Sequence, residues 1–112
     1  MKARHRLKDN RDFRRVFQRG KSVATGRLVL YWHENRLTTF RAGFSISKKI
    51  GKAVVRNRLK RLLRACFLEL GPKLENTPVD FVVVCRQGSA DASYHELLSD
   101  LRKLLRRAKF MV

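Results

Sequence analysis

Residues 48–64 constrain this chain more than any other stretch, because they combine dense positive charge with the spacing of an amphipathic helix. Eight of these seventeen residues are Lys or Arg, and none is acidic. Between Val55 and Leu70 the apolar side chains recur about every 3.6 residues, which predicts a helix with one buried stripe. The sequence therefore predicts a rigid cationic helix that is fixed to a core and holds a polyanion.

The two sides of this helix are predicted from the same periodicity. The buried stripe comprises Val55, Leu59, Leu62, Leu63, Cys66, Phe67 and Leu70. The charged side comprises Asn57, Arg58, Lys60, Arg61 and Arg64, with Arg56 at the seam between the two sides.

Charge is distributed unevenly along the 112 residues, whose formal net charge is +18. Residues 1–64 hold 20 basic and 3 acidic residues, whereas residues 65–112 hold 7 and 6. The first half is therefore expected to carry the ligand-binding surface. Nucleic acid is the first candidate polyanion. A membrane surface is the second, although no apolar stretch is long enough to span a bilayer and no secretory signal is expected.

Groups that would support independent catalysis are not clustered in the sequence. The three histidines lack zinc-ligand spacing, the nine carboxylates are scattered, and no glycine-rich phosphate loop is present. The cysteines, Cys66 and Cys85, lie far apart without a C-x-x-C motif. We expect both to be reduced and buried in a cytosolic protein, although sequence leaves a disulfide open. An enzyme that acts alone is not expected.

The segment before the cationic helix predicts an arm, a helix and strands. Residues 1–8 are interpreted as a flexible basic arm. A helix is predicted from Asp9 or Asn10 to Gly20, with Phe13, Val16 and Phe17 on one face. That face is either core or, for one Phe, the wall of a groove in which bases stack.

Alternating residues predict strands at 27–33 and 40–47, with a shorter one at 22–24. In the strand at 40–47, apolar residues alternate with mostly small ones, so one face is either a close-approach binding surface or an exposed face without a partner.

The second half of the chain predicts scaffold. The dipeptide Gly71-Pro72 is expected to end the cationic helix. The valine-rich segment 79–86 is typical of a strand buried on both faces. A last helix is predicted after a cap at Asp91 or Ser93. This order of elements favours an α+β sandwich with helices packed against one sheet.

The stretch 41–64 reads R-A-G-F-S-I-S-K-K-I-G-K-A-V-V-R-N-R-L-K-R-L-L-R and resembles the protein component of bacterial ribonuclease P. The family pattern has S-K-K-x-G-x-A-V-x-R-N-R at its centre, and the R-N-R triplet at 56–58 is its hallmark. Residues 6–20 look like the family's first helix with its lead, and residues 81–84 look like its last strand. Ala65, where many members carry Glu, and Asp9, where relatives often carry a basic residue, depart from the pattern.

The resemblance implies a two-layer α-β sandwich of order α-β-β-β-α-β-α, like the second domain of a small-subunit ribosomal protein, with residues 1–112 as a single RNA-binding domain. It also implies a left-handed β-α-β crossover through the basic helix, against the usual right-handed rule. The holoenzyme would remove the 5′ leader of precursor tRNA in the bacterial cytoplasm, with catalysis in the RNA subunit. The protein alone is expected to be inactive, and magnesium would be held mainly by RNA. One protein copy per catalytic RNA is expected, with no membrane partner.

Site residues follow from the matching positions. The resemblance implies a leader-binding cleft lined by Phe13, Phe17, Tyr31, Ser45, Ser47, Arg56, Asn57, Arg61 and Arg64. It adds a general RNA-binding basic face at Lys48, Lys49, Lys52, Arg58 and Lys60. No catalytic residue is expected, and the sequence leaves protein-bound metal sites open. Two other classes remain as alternatives, a ribosomal or ribosome-assembly protein and an autonomous nuclease.

Overall fold

The computed structural model describes residues 1–112 and contains three α-helices and one four-stranded sheet. The helices are α1 (Asn10–Arg19), α2 (Ala53–Leu74) and α3 (Tyr94–Arg107). The strands are β1 (Lys21–Ala24), β2 (Leu28–Glu34), β3 (Arg41–Ser45) and β4 (Val79–Cys85). The predicted order α-β-β-β-α-β-α is confirmed.

The sheet has the strand order β1-β2-β4-β3. Its strands β1, β2 and β4 pair antiparallel, whereas β3 lies parallel to β4 at the edge. Two parallel neighbours need a long crossover, and α2 supplies it. The predicted β-α-β unit is therefore present, and it holds the cationic helix beside the β3 edge.

The main core lies between one face of the sheet and the helices α2 and α3. Strand residues that point to this face, such as Leu30 and Phe81, are fully buried, as are Leu63 and Phe67 of α2. The stripe predicted for α2 is therefore confirmed. Burying side chains of this size stabilises the fold by roughly 1.5–3 kcal/mol each.

A smaller core lies on the opposite face of the sheet, under α1. Val16 is 1% exposed and packs with Leu7 and Val82. Because successive strand residues point to opposite faces, Val82 contacts α1 while its neighbours Phe81 and Val83 join the main core. Predicted burial of β4 on both faces is thus confirmed, and α1 covers part of a face that α2 and α3 leave open.

Helix ends show why local sequence signals succeed or fail. Asp9 caps α1 by accepting a hydrogen bond from Arg11 N at 2.9 Å, and Ser93 begins α3 with a full capping box. The predicted end of α2 at Gly71-Pro72 is wrong, since the helix continues to Leu74. A proline so near the C-terminus removes one backbone hydrogen bond, and burial of Leu74, which is fully inaccessible, offsets that loss.

Residues 1–8 are docked on the sheet, so the prediction of a free, flexible arm is wrong. His5 and Leu7 are 4% and 5% exposed, and Leu7 N donates to the Ala42 carbonyl at 3.0 Å. The apolar Leu7 side chain fills the space beside Val16 and Val82, which a basic arm in solution would leave open.

Candidate nucleic-acid interface

An aromatic surface, formed by Phe13, Phe17 and Tyr31, lies where α1 crosses the sheet. The rings of Phe17 and Tyr31 meet edge to face with centroids 5.0 Å apart. Phe17 remains 41% exposed, which is unusual for so large an apolar side chain. The helical spacing that buries Val16 places Phe17 at the border of the covered region, so its ring is both supported and accessible.

The small-residue face of β3 is covered in part by the chain itself. A side chain at Gly43 would place its Cβ only 2.4 Å from the Phe13 ring. The sequence left two alternatives for this face, a binding surface or an exposed face without a partner. At Gly43 neither holds, because Phe13 of α1 covers the position. Ser45 pairs in register with Val84 on this same face and stays half-buried. The face beyond Phe13 is therefore open at Ser45.

The charged side of α2 begins next to this face. Asn57 and Arg61 are exposed, whereas Arg56 is half-buried. The Arg56 Nε atom is shielded from solvent and has no hydrogen-bond partner. A buried donor without a partner costs roughly 1–3 kcal/mol.

One cavity joins the predicted residues of α1 and α2. Its volume is about 300 Å³, and Phe13, Phe44, Lys60 and Arg64 are among the residues that line it. The sequence predicted Phe13 and Arg64 at a cleft and Lys60 on the general basic face. The structure brings all three to one cavity at the β3 edge.

The other predicted residues lie outside this cavity. Ser47 is exposed and caps a short turn by accepting from Lys49 N at 3.2 Å. Lys48 and Lys49 are exposed in that turn, and Lys52 is the exposed residue before α2. These residues extend the cationic surface along the entry to α2.

Arg58 differs from the rest of the basic face. It is half-buried, and its Nη2 donates to the Ala92 carbonyl at 2.8 Å, which joins α2 to the segment before α3. The sequence placed Arg58 on the charged side of the helix. In the structure part of its guanidinium is used for tertiary contact, because the segment before α3 packs against that side.

Basic residues that the sequence interpretation did not single out also belong to this surface. Arg6 and Lys8 line the same cavity as Lys60 and Arg64. The outer side of α1 adds exposed Arg11, Arg14, Arg15 and Arg19. The excess of 20 basic over 3 acidic residues in the first 64 was the available signal, but charge count alone does not assign side chains to a site.

An ion-pair network fixes β3 beneath α1. The Arg41 guanidinium donates to Asp80 at 2.9 and 2.7 Å, and Arg41 also lies 3.4 Å from Asp12. The hydrogen bond to Asp80 raises the pKa of Arg41 above its usual value. Asp80, which is 2% exposed, accepts a further hydrogen bond from Asn35. These contacts use Arg41 internally and position the strand.

The two cysteines are free and buried, as predicted. Burial raises the pKa of the Cys66 thiol to about 12 and raises that of Cys85 as well. Both therefore remain protonated thiols at neutral pH, which makes them poor nucleophiles.

No three His, Cys, Asp or Glu side chains are grouped so that they could hold a metal ion. No helix is long and apolar enough to cross a membrane.

Fold and surface together define a small, strongly basic α+β protein with a cationic helix face and an aromatic surface, of which Phe17 is exposed. The Ribonuclease P family model matches residues 1–109. The chain therefore belongs to the family of ribonuclease P protein components, which are subunits of ribonuclease P.

Two bacterial relatives support this assignment. The chain is similar to the ribonuclease P protein component of Geobacillus kaustophilus, with 47% identity over 96% of this chain and 89% of the relative. It is 43% identical to that of Streptococcus thermophilus, over 97% of this chain and 96% of the relative. All of these relatives are bacterial.

Solved structures show the same fold. The RNase P protein of Staphylococcus aureus superposes with a TM-score of 0.87 at 35% identity, over 96% of this chain and 98% of that one. The Thermotoga maritima protein gives 0.82 at 30% identity, over 91% and 96%. A further Staphylococcus aureus structure, a mutant described as defective in mRNA degradation activity, gives 0.87 at 36% identity over 95% and 89%. The predicted α-β sandwich is confirmed.

Proposed function

We propose that this chain binds the catalytic RNA of ribonuclease P and the 5′ leader of precursor tRNA, and so aids endonucleolytic removal of the leader. The observation that carries the proposal is the pairing of an exposed Phe17 ring, supported by Tyr31, with a cationic α2 whose Lys60 and Arg64 share a cavity with Phe13 of α1. Single-stranded RNA needs both features, since bases stack on aromatic rings while phosphates require positive charge.

These contacts also fit a substrate of variable sequence. Stacking and phosphate binding discriminate weakly among bases, so stacking on Phe17 and Tyr31 with phosphate binding by α2 cations such as Arg61 suits many leaders. The half-buried guanidinium of Arg56 adds positive charge at the start of α2, which favours a phosphate nearby. The exposed cations at Lys48, Lys49 and Lys52 are available for a second RNA, the catalytic one.

Magnesium fits the RNA better than this protein. Hard cations such as Mg²⁺ bind carboxylate and other oxygen ligands, and the cavity at Lys60 and Arg64 is lined by cations and apolar groups without a carboxylate. In the proposed holoenzyme the RNA subunit holds magnesium and performs the cleavage in the cytoplasm, and the protein neutralises phosphate charge near it.

The test adds the purified chain to ribonuclease P RNA and precursor tRNA at a magnesium concentration where the RNA alone is slow. We expect faster 5′ cleavage and tighter binding of precursor than of mature tRNA. Unchanged cleavage would overturn the proposal and favour a ribosomal or ribosome-assembly role.

A parallel reaction without the RNA subunit separates the remaining alternative. We expect no 5′ cleavage of precursor tRNA by the protein alone. RNA cleavage by the protein alone, in a preparation freed of contaminating nucleases, would support an autonomous nuclease, and an mRNA substrate belongs in this reaction because of the Staphylococcus aureus mutant.

A further inference from the structure

The docked segment at residues 1–8 extends the edge of the sheet. Arg6 forms a parallel β-bridge with Ala42, and Leu7 N donates to the Ala42 carbonyl at 3.0 Å. The edge strand β3 would otherwise leave these backbone groups unpaired. The backbone around Arg6 therefore has a fixed position beside β3.

His5 fastens the same segment to the main core. Its ring stacks on Phe40 with centroids 4.1 Å apart, and its Nε2 lies 3.3 Å from the Thr39 hydroxyl. Nε2 also lies 3.6 Å from a Glu75 carboxylate oxygen, and Arg4 forms an ion pair with the same carboxylate. Contacts on both sides of Arg6 hold the segment, so its basic side chains project from a rigid backbone.

The segment carries Arg6 and Lys8 to the cavity that Lys60 and Arg64 line from α2. None of these four cations makes an ion pair within the chain, although eight pairs between Arg and carboxylate side chains occur elsewhere. The lining contains no carboxylate, so like charges meet there without internal compensation. Such an arrangement destabilises the free protein and is relieved when an anion binds.

The remaining lining of this cavity is aromatic and apolar. Phe13 and Phe44 contribute to it, and Gly43 leaves room for the Phe13 ring. A volume of about 300 Å³ lies at the small end of ligand pockets. Cations around an aromatic floor suit one nucleotide, with its base on the rings and its phosphates at the rim.

We propose that Arg6 and Lys8 are RNA-binding residues, and that residues 1–8 form a wall of a single-nucleotide site for single-stranded RNA. Phosphates of the strand lie between these two cations on one side and Lys60 and Arg64 on the other. This inference rests on the proposed function, because it adds residues to that RNA-binding surface.

The test measures the salt dependence of binding to a single-stranded RNA oligomer of about eight nucleotides, within the usual site size for such proteins. The full chain is compared with Arg6→Ala/Lys8→Ala and with a control, Lys103→Ala/Arg106→Ala, which removes equal charge from exposed positions on α3. We expect the first variant to reduce the log–log salt slope by about 1.4, since each phosphate contact contributes roughly 0.7 for single strands, and the control to leave it near the parent value.

A charge-preserving variant separates charge from packing. Arg6→Lys/Lys8→Arg should keep the parent slope, because phosphate binding here needs charge more than shape. Circular dichroism reports the fold of each variant, and Arg6→Gln/Lys8→Gln takes the place of the alanine pair if that pair unfolds. Equal slopes for the neutralised variant and the α3 control would overturn the inference.

Cleavage by the reconstituted holoenzyme distinguishes this failure from failure of the proposed function. If the unmodified chain does not stimulate ribonuclease P RNA, the proposed function fails, and this inference falls with it. If the unmodified chain stimulates cleavage but the Arg6/Lys8 variant matches the α3 control in slope and in precursor binding, only the role of residues 1–8 fails.

Discussion

Replacing Phe17 by alanine removes the most exposed ring of the aromatic surface. Phe17 is 41% exposed and touches Tyr31 at 5.0 Å between centroids, so the folded state loses an edge-to-face pair worth about 1 kcal/mol. A base stacked on the ring contributes roughly 1–3 kcal/mol, which corresponds to about a 5- to 150-fold loss of affinity. We therefore expect weaker leader binding by a protein that remains folded.

The assay measures dissociation constants of precursor and mature tRNA for the holoenzyme assembled with each variant. Phe17→Ala should weaken precursor binding and leave mature tRNA, which lacks the leader, nearly unaffected. Leu37→Ala is a matched control, because Leu37 is 48% exposed and lies in the turn between β2 and β3. An equal loss for precursor and mature tRNA, or an equal loss with the Leu37 control, would refute a leader-stacking role for Phe17.

Three further perturbations separate stability from binding. Asp80→Ala leaves the Arg41 guanidinium without its main partner. Urea unfolding should show a loss of about 3 kcal/mol in the free energy of unfolding, at the low end for buried pairs because the Arg41 side chain is 22% exposed. A loss under about 1 kcal/mol would contradict this account. Arg61→Ala should lower the log–log salt slope of RNA binding by about 0.7 without destabilising the fold, because Arg61 is exposed. Arg58→Ala should instead reduce the free energy of unfolding by roughly 1–2 kcal/mol, because the hydrogen bond to the Ala92 carbonyl is lost. The reverse pattern would make Arg58 the phosphate contact and Arg61 the structural residue. Burial lowers the pKa of His5 below 6.5, so the unfolded chain binds a proton more readily than the folded chain does. The free energy of unfolding should therefore fall as pH drops from 6.5 toward the folded-state pKa. Hydrogen exchange at residues 1–8 should accelerate over the same pH window, and His5→Phe should abolish this pH dependence.

Periodicity was enough to predict the helices and strands that bury one regular row of apolar side chains. The α2 stripe from Val55 to Leu70 and the alternation of Leu28, Leu30 and Trp32 in β2 depend on one repeat each. A repeat of 3.6 or 2 residues is visible without knowledge of the partner, since any apolar surface satisfies it. The fold class and the identity of the cationic helix could therefore be predicted from sequence.

Contacts between distant segments could not be predicted in the same way. Phe13 covers Gly43, and Arg58 reaches the Ala92 carbonyl, although neither pair is close in sequence. Gly71 and Pro72 are strong local stop signals, but burial of Leu74 in the main core outweighs them. Each outcome depends on the tertiary neighbour rather than on local preference.

In the candidate site, too, local spacing was predictable from sequence and tertiary placement was not. Helical spacing predicted that Phe13, Val16 and Phe17 share a face, but exposure of Phe17 depends on where α1 crosses the sheet. Docking of residues 1–8 was not predicted, because the basic side chains of this segment outweigh its few apolar ones, Met1, Ala3 and Leu7. Phe13 of α1 and the cations Lys60 and Arg64 of α2 meet at one cavity, because α1 and α2 lie on either side of the β3 edge.

A map of crosslinks between leader and protein tests the central claim most directly. Precursor tRNA with photoreactive nucleotides in its leader is assembled with the catalytic RNA and this chain, and crosslinked residues are identified by mass spectrometry. The account predicts crosslinks at Phe13, Phe17 and Tyr31 and along the α2 face near Arg61. Crosslinks confined to α3, on the other side of the sheet from α1, would contradict it.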